Sequence, residues 1–283
     1  MRLARIAMLL GGVFVAAVVF VWIFQERFAF QPPAVPAVQG RGTTRIEYVA
    51  SDGQQLFGFL VEPARPPGDK SSDSTGGAII VFHGNGDLAD SWVDWAHLAA
   101  KSLGWPVFLA EYRGYGGLAG RPSFAGVLRD GNAAIDAISK RLSLRPNQIV
   151  LFGHSLGSGV ATKLAGERGA RALVLEAPFT SLVEMGARAF GPPISWVLPL
   201  ISRSPFSPIA DVRAVRAPVS VAVGAKDDVI PPDMGRAVFA AAARKGELLE
   251  VATASHGDVS DRGGARYWQW LVRAVRGAPE VSP

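Results

Sequence analysis

The chain has 283 residues, room for one large domain or two small ones. With 49% hydrophobic and 19% charged residues it is too apolar to be disordered throughout, and its 32 glycines and 20 prolines follow no period, which excludes a collagen-like fibre. The net charge of +5 is scattered and makes no nucleic-acid footprint, while the absence of cysteine excludes disulfides, thiolate zinc sites and a cysteine nucleophile.

From Ile6 to Phe24 there is no charged or polar side chain. As a helix this run spans roughly 28 Å, close to a hydrocarbon core of about 30 Å. A cleaved signal peptide has a shorter apolar core and a small-x-small cleavage site. Here the run ends in Val21-Trp22-Ile23-Phe24, which offers none. Residues 6–24 are therefore read as a retained signal anchor with Trp22 at the interface. Arg2 and Arg5 precede the run, whereas Glu26 and Arg27 behind it cancel. The positive-inside rule then puts residues 1–5 in the cytoplasm and the rest on the extracytoplasmic side. Residues 25–44, proline-rich at 31–36, read as a juxtamembrane linker.

A folded domain is expected over 45–276, followed by a flexible tail over 277–283. Arg45–Ala50 and Leu56–Glu62 flank Ser51-Asp52-Gly53 and predict a hairpin. Pro63 to Gly77 is a polar spacer, read as a surface loop. Short apolar runs then predict buried strands at Ala78–Phe82, Val107–Ala110, Ile149–Phe152, Ala172–Leu175, Val219–Val223 and Leu248–Val251. Helix-length segments lie between them at Leu88–Lys101, Phe124–Arg141, Leu156–Glu167, Asp233–Lys245 and Asp261–Val275. This alternation implies a mostly parallel sheet of roughly eight strands with helices on both faces. Sites in such sheets form beyond the carboxyl ends of the strands.

Gly153-His154-Ser155-Leu156-Gly157 stands at such an end, between a strand and a helix. A sharp turn there lifts a serine clear of the sheet, and side chains at Gly153 and Gly157 would crowd it. His154 is expected to point away from the site and pack. A serine nucleophile needs a base and an orienting acid, which follow it in that context in the order acid, then histidine. Of His83, His97, His154 and His256, only His256 follows Ser155 at a distance, in a small-residue loop after the last strand. The acid belongs in Gly224-Ala225-Lys226-Asp227-Asp228, where Asp227, nearer the strand end, is favoured over Asp228. Oxyanion donors are expected from the Leu156 N–H and from the loop Phe82-His83-Gly84-Asn85-Gly86-Asp87, at Asn85 with Gly86 as its rival. No ligand set accompanies His83, so no metal and no cofactor is expected.

H-G-N-G at 83–86, E-Y-R-G-Y-G-G at 111–117, R-P-S at 121–123, G-H-S-L-G at 153–157 and G-A-K-D-D-V-I-P-P at 224–232 occur in order. Together they resemble the α/β-hydrolase superfamily, and most of all its membrane-anchored branch near serine-aminopeptidase-like hydrolases, depalmitoylating thioesterases and lysophospholipases. The resemblance implies Ser155, Asp227 and His256 as triad, Asn85 and Leu156 as oxyanion donors, and Tyr112-Arg113-Gly114-Tyr115-Gly116 as a structural loop. Two positions depart from it: Glu111, where many relatives carry Asp, and Asp258 after Gly257. Residues 178–210 are apolar and proline-broken and would form a short helical cap, over an acyl pocket or merely packed on the core. The expected activity is hydrolysis of acyl esters or thioesters from a small-molecule or lipid substrate. Acyl transfer, peptidase chemistry or a silent binding fold are the alternatives. A monomer bound to the membrane through its N-terminal helix, without nucleic acid, completes the expectation.

Overall fold

Alternating apolar strands and amphipathic helices build one sheet with two helical layers. The structure, a computed structural model, describes residues 2–63 and 76–276. Most of the spacer at 63–77 and the tail at 277–283 fall outside the described residues. The strands are β1 (Thr43–Val49), β2 (Gln55–Val61), β3 (Ala78–Phe82), β4 (Val107–Ala110), β5 (Ile149–His154), β6 (Ala172–Glu176), β7 (Val219–Gly224) and β8 (Lys245–Val251). They lie in the order β1-β2-β4-β3-β5-β6-β7-β8. β1 and β2 form the expected antiparallel hairpin, β2 runs antiparallel to β4, and every pairing from β4 to β8 is parallel.

The helices are α1 (Arg2–Ala29), α2 (Val93–Leu103), α3 (Phe124–Leu142), α4 (Leu156–Arg168), α5 (Leu182–Phe190), α6 (Ile194–Ile201), α7 (Pro208–Asp211), α8 (Pro232–Ala241) and α9 (Val259–Arg276). Successive strand residues point to opposite faces. Thus Ile80 and Phe82 of β3 pack with Val127, Ile135 and Leu164 of α3 and α4. Their neighbours Ile79 and Val81 pack with Ala96, Leu103, Trp270 and Leu271 of α2 and α9. Both faces are covered, which is why β3 and β4 are apolar throughout and β5 to β7 are mostly so.

Several boundaries differ from expectation. The segment from Leu88 opens as a 3-10 turn over Ala89–Trp92 before α2 begins. The helix foreseen to Lys245 stops at Ala241, and Lys245 already opens β8 against Val219, because the edge strand recruits polar residues that periodicity assigns to a helix. At the N-terminus, α1 continues to Ala29, so the first part of the foreseen linker is helical, and β1 starts at Thr43.

Arg113 ties the hairpin to the body. Its guanidinium donates to Asp130 of α3 (2.7 Å) and to Asp52 in the β1–β2 turn (2.7 and 3.1 Å). That hydrogen bonding holds the Asp52 carboxyl at about 2, below the ordinary carboxylate value of about 3.9. A depressed folded-state pKa gives stabilisation that is complete above about pH 4 and lost as pH falls through about 2. The Asp52→Asn variant should therefore melt below wild type at neutral pH, with a gap that narrows between pH 4 and 2. A gap constant across that window in pH-resolved melting would remove the Asp52 carboxylate as its source.

Candidate active site

The strand β5 delivers Ser155 into a strained turn. Ser155 has φ +50 and ψ −118, a left-handed conformation that L residues rarely adopt, and its N–H is tied to the Glu176 carbonyl of β6 (3.0 Å). The turn exists because its flanks are glycine. A Cβ on Gly157 would lie 2.0 Å from the Phe82 carbonyl oxygen, and one on Gly153 would lie 2.5 Å from that of Gly157. Both obstacles are backbone and cannot swing aside. Leu156 opens α4, so its N–H is one of the first-turn donors that no helical carbonyl can satisfy.

The other two expected side chains arrive from strand ends. Asp227 follows β7 and is buried. Its Oδ1 accepts the N–H groups of Val229 (3.0 Å) and Ile230 (2.8 Å), which leaves Oδ2 facing His256 Nδ1 at 2.8 Å. Asp228 is exposed. His256 follows β8, and its Nε2 lies 2.9 Å from Ser155 Oγ. Asp258 shapes that loop: its Oδ1 accepts the Ser255 N–H (2.7 Å) and hydroxyl (3.0 Å), and chiefly the first of these holds its carboxyl below the ordinary value. Asp227, His256 and Ser155 thus form one hydrogen-bonded chain from a buried carboxylate to a hydroxyl.

The loop after β3 is held from beneath by a residue that sequence reasoning treated only as a departure. Glu111, fully buried at the end of β4, faces His83 Nε2 through Oε1 (2.8 Å) and accepts the Ala89 N–H through Oε2 (3.0 Å). His83 Nδ1 faces the Gly84 carbonyl at 2.9 Å. Both imidazole nitrogens lie within hydrogen-bond distance of oxygen acceptors, an arrangement that favours the charged ring. Burial opposes that charge, but Glu111 outweighs burial and raises the His83 pKa. Asn85 is clamped from above: its Oδ1 accepts the Gln31 backbone N–H (2.7 Å) and the Tyr115 hydroxyl (2.9 Å).

Ser155 stands between two unlike spaces. One is an apolar cavity of about 460 Å³ under α5 and α6, lined by Leu182, Met185, Ala189, Phe190, Leu198 and Ile201. The expected cap therefore covers Ser155 itself. Val21, Gln25, Phe28 and Ala29 of α1 and the adjoining Gln31 complete its wall. Sequence reasoning missed this contribution. The junction is specific: Gln25 Oε1 accepts the Arg203 N–H (2.6 Å), Glu26 Oε1 accepts the Phe124 N–H at the start of α3 (3.0 Å), and Phe28 meets Phe190 edge-on at 5.4 Å. Glu26, read as a flanking charge, is thus a cap on α3.

The other space is a polar cleft of about 590 Å³ that contains His256, which the apolar cavity does not touch. Here His154 departs from expectation. Its ring lies 5.2 Å from that of His256 and lines the cleft, because the turn at Ser155 rotates the preceding side chain toward β6, where Nδ1 sits 3.2 Å from Glu176 Oε1. His97 donates from Nε2 to the Arg41 carbonyl at 2.9 Å, remote from the site. Among the described residues no cluster of metal-ligating side chains is present.

The family described as "Serine aminopeptidase, S33" matches residues 73–205. An uncharacterized protein of Mycobacterium tuberculosis, Rv2307c, is 33% identical over 261 residues, covering 90% of this chain and 87% of that protein. The alpha/beta hydrolase domain-containing protein WAV2 of Arabidopsis thaliana is 28% identical, covering 95% and 94%. Among solved structures, the Pyrococcus furiosus esterase Pf2001 superposes with a TM-score of 0.64 over 87% of this chain and 98% of that one, and at 17% identity it shows the fold alone. The chain belongs to the α/β-hydrolase superfamily.

Proposed function

We propose that the protein is a membrane-tethered serine hydrolase that cleaves acyl esters or thioesters. The observation that carries this reading is the chain Asp227–His256–Ser155, whose serine faces an apolar cavity suited to an acyl group. Ser155 Oγ attacks the acyl carbonyl carbon while His256 Nε2 takes its proton. Asp227 keeps the imidazole proton on Nδ1 and stabilises the imidazolium. The N–H groups of Asn85 and Leu156 receive the oxyanion. As the intermediate collapses, the carbon–oxygen or carbon–sulfur bond breaks and His256 returns its proton to the leaving group. Water, deprotonated by the same imidazole, then releases the acid from Ser155.

The tether rests on α1. It is long and apolar enough to cross a membrane, and Val21 is its only buried residue. The apolar side chains of its N-terminal part, among them Ile6, Met8, Leu9, Leu10, Val13 and Val15, are exposed, so a bilayer core is the solvent that suits them. The arginine flank orients the catalytic body outward.

The test is fluorophosphonate labelling of the full chain in membranes, followed by an ester and thioester panel of increasing acyl length. Labelling, retention through carbonate extraction, and a preference for acyl chains long enough to fill the cavity are expected. Failure to label would overturn the hydrolase reading. Labelled protein protected from protease outside intact cells would reverse the orientation.

A further inference from the structure

The second space beside Ser155 carries a charge pattern that ester hydrolysis alone does not require. The leaving group takes its proton from His256 Nε2, so it departs on the side where His256 stands. That side is the polar cleft. Glu176, Asp87, Asp94 and Asp261 line it, and no Lys or Arg does so among the described residues. The chain as a whole carries +5, so this concentration of carboxylate runs against the background.

Glu176 is the informative member. It is only 3% exposed, at the end of β6. Its Oε1 lies 3.2 Å from His154 Nδ1 without a formed hydrogen bond, and among the described residues neither that nitrogen nor Glu176 Oε2 has a hydrogen-bond partner. A buried carboxylate oxygen without a donor costs free energy unless a cation or donor is supplied. Trp92 adds an aromatic wall: its ring lies 5.0 Å from that of His154, and its Nε1 donates to Asp87 Oδ2 at 3.3 Å. Asp94 and Asp261 are exposed in the same cleft. Carboxylates around an indole face are the chemistry that recognises an ammonium ion. A cleft of one charge sign with low-dielectric walls also concentrates its counter-ion.

We infer that the polar cleft is a leaving-group site for an ammonium-bearing alcohol or thiol. The apolar cavity holds the acyl chain and the acidic cleft holds a cationic head, with the scissile bond over Ser155 between them. This assignment rests on the hydrolase reading and narrows it to acyl substrates whose departing half is positively charged.

Two thioesters of equal acyl chain and nearly equal shape test it: butyrylthiocholine, and S-(3,3-dimethylbutyl) thiobutyrate, in which carbon replaces the ammonium nitrogen. The chain has no cysteine, so thiol reagents report product alone. For the full-length protein in detergent, kcat/KM should favour the cation about ten-fold, the order supplied by a partly desolvated aromatic contact with screened carboxylates. The double variant Asp94→Asn/Asp261→Asn should bring that ratio to within about three-fold of unity, chiefly through KM, and Glu176→Gln should lower it too. The ratio is the readout, so a general loss of activity cancels. Turnover of both thioesters at equal kcat/KM in wild type overturns the cation site and leaves the hydrolase reading standing. If neither turns over, calorimetry on Ser155→Ala decides. Tighter binding of butyrylthiocholine than of its isostere keeps the site and leaves the hydrolase reading to fluorophosphonate labelling, whereas equal binding, or none, sinks the site.

Discussion

Replacing Ser155 by Ala should abolish fluorophosphonate labelling and lower kcat for any ester substrate by roughly 10⁴–10⁶, while the melting temperature stays near wild type. The size of the loss follows from geometry. His256 Nε2 reaches Ser155 Oγ at 2.9 Å, and among the described residues no other hydroxyl is paired with that imidazole. Removing the hydroxyl leaves cavity, cleft and oxyanion donors in place but no nucleophile for the imidazole to activate. The fold should tolerate the change, because the backbone that defines the turn is fixed by Gly153 and Gly157 rather than by the serine side chain. Ester turnover within ten-fold of wild type in a folded Ser155→Ala protein would mean that another group performs the attack.

The second large effect separates two adjacent carboxylates. Asp227→Asn should cost on the order of 10⁴ in kcat, and Asp228→Asn less than about three-fold. Asp227 Oδ2 is the acceptor that keeps the His256 proton on Nδ1, and the two N–H bonds to Oδ1 prevent the carboxyl from turning away. An amide at the same position presents either a donor to Nδ1 or an uncharged acceptor, so the imidazole adopts the wrong tautomer or loses support for its charge. Asp228 is exposed and makes none of these bonds. Parallel kcat measurements on the two variants settle the matter, and equal losses would place the orienting acid elsewhere.

What was legible in the sequence was what local pattern encodes. β3 and β4 coincide with the apolar runs at Ala78–Phe82 and Val107–Ala110, since a strand buried on both faces has no reason to include a polar residue. The strand–glycine–serine–glycine–helix order around Ser155 was legible because the whole signature lies within five residues, even though the backbone that Gly157 must avoid is that of Phe82 in β3. The residues that escaped notice act at long range. Glu111 sits 28 positions from His83, and nothing in either neighbourhood announces their pairing. Gln31 meets Asn85 through a backbone N–H, which any residue but proline could supply. Residues 21–24 read as the end of an anchor and 25–31 as the start of a linker from their local composition, which gives no sign that they wall the apolar cavity beside Ser155.

That shared wall has a consequence for processing. A leader peptidase cutting between Val21 and Gln31 would release a body whose cavity lies open along one side. It would also sever the segment whose Gln25 holds the Arg203 backbone and whose Glu26 caps α3. A fragment beginning at Gly40 goes further, for it deprives Asn85 of one of the two donors that fix its side chain beside the serine. The first helix and the body are therefore not detachable modules, and a fragment without the helix has a differently shaped cavity, whose ligand preference would report on the missing segment as much as on the part that remains.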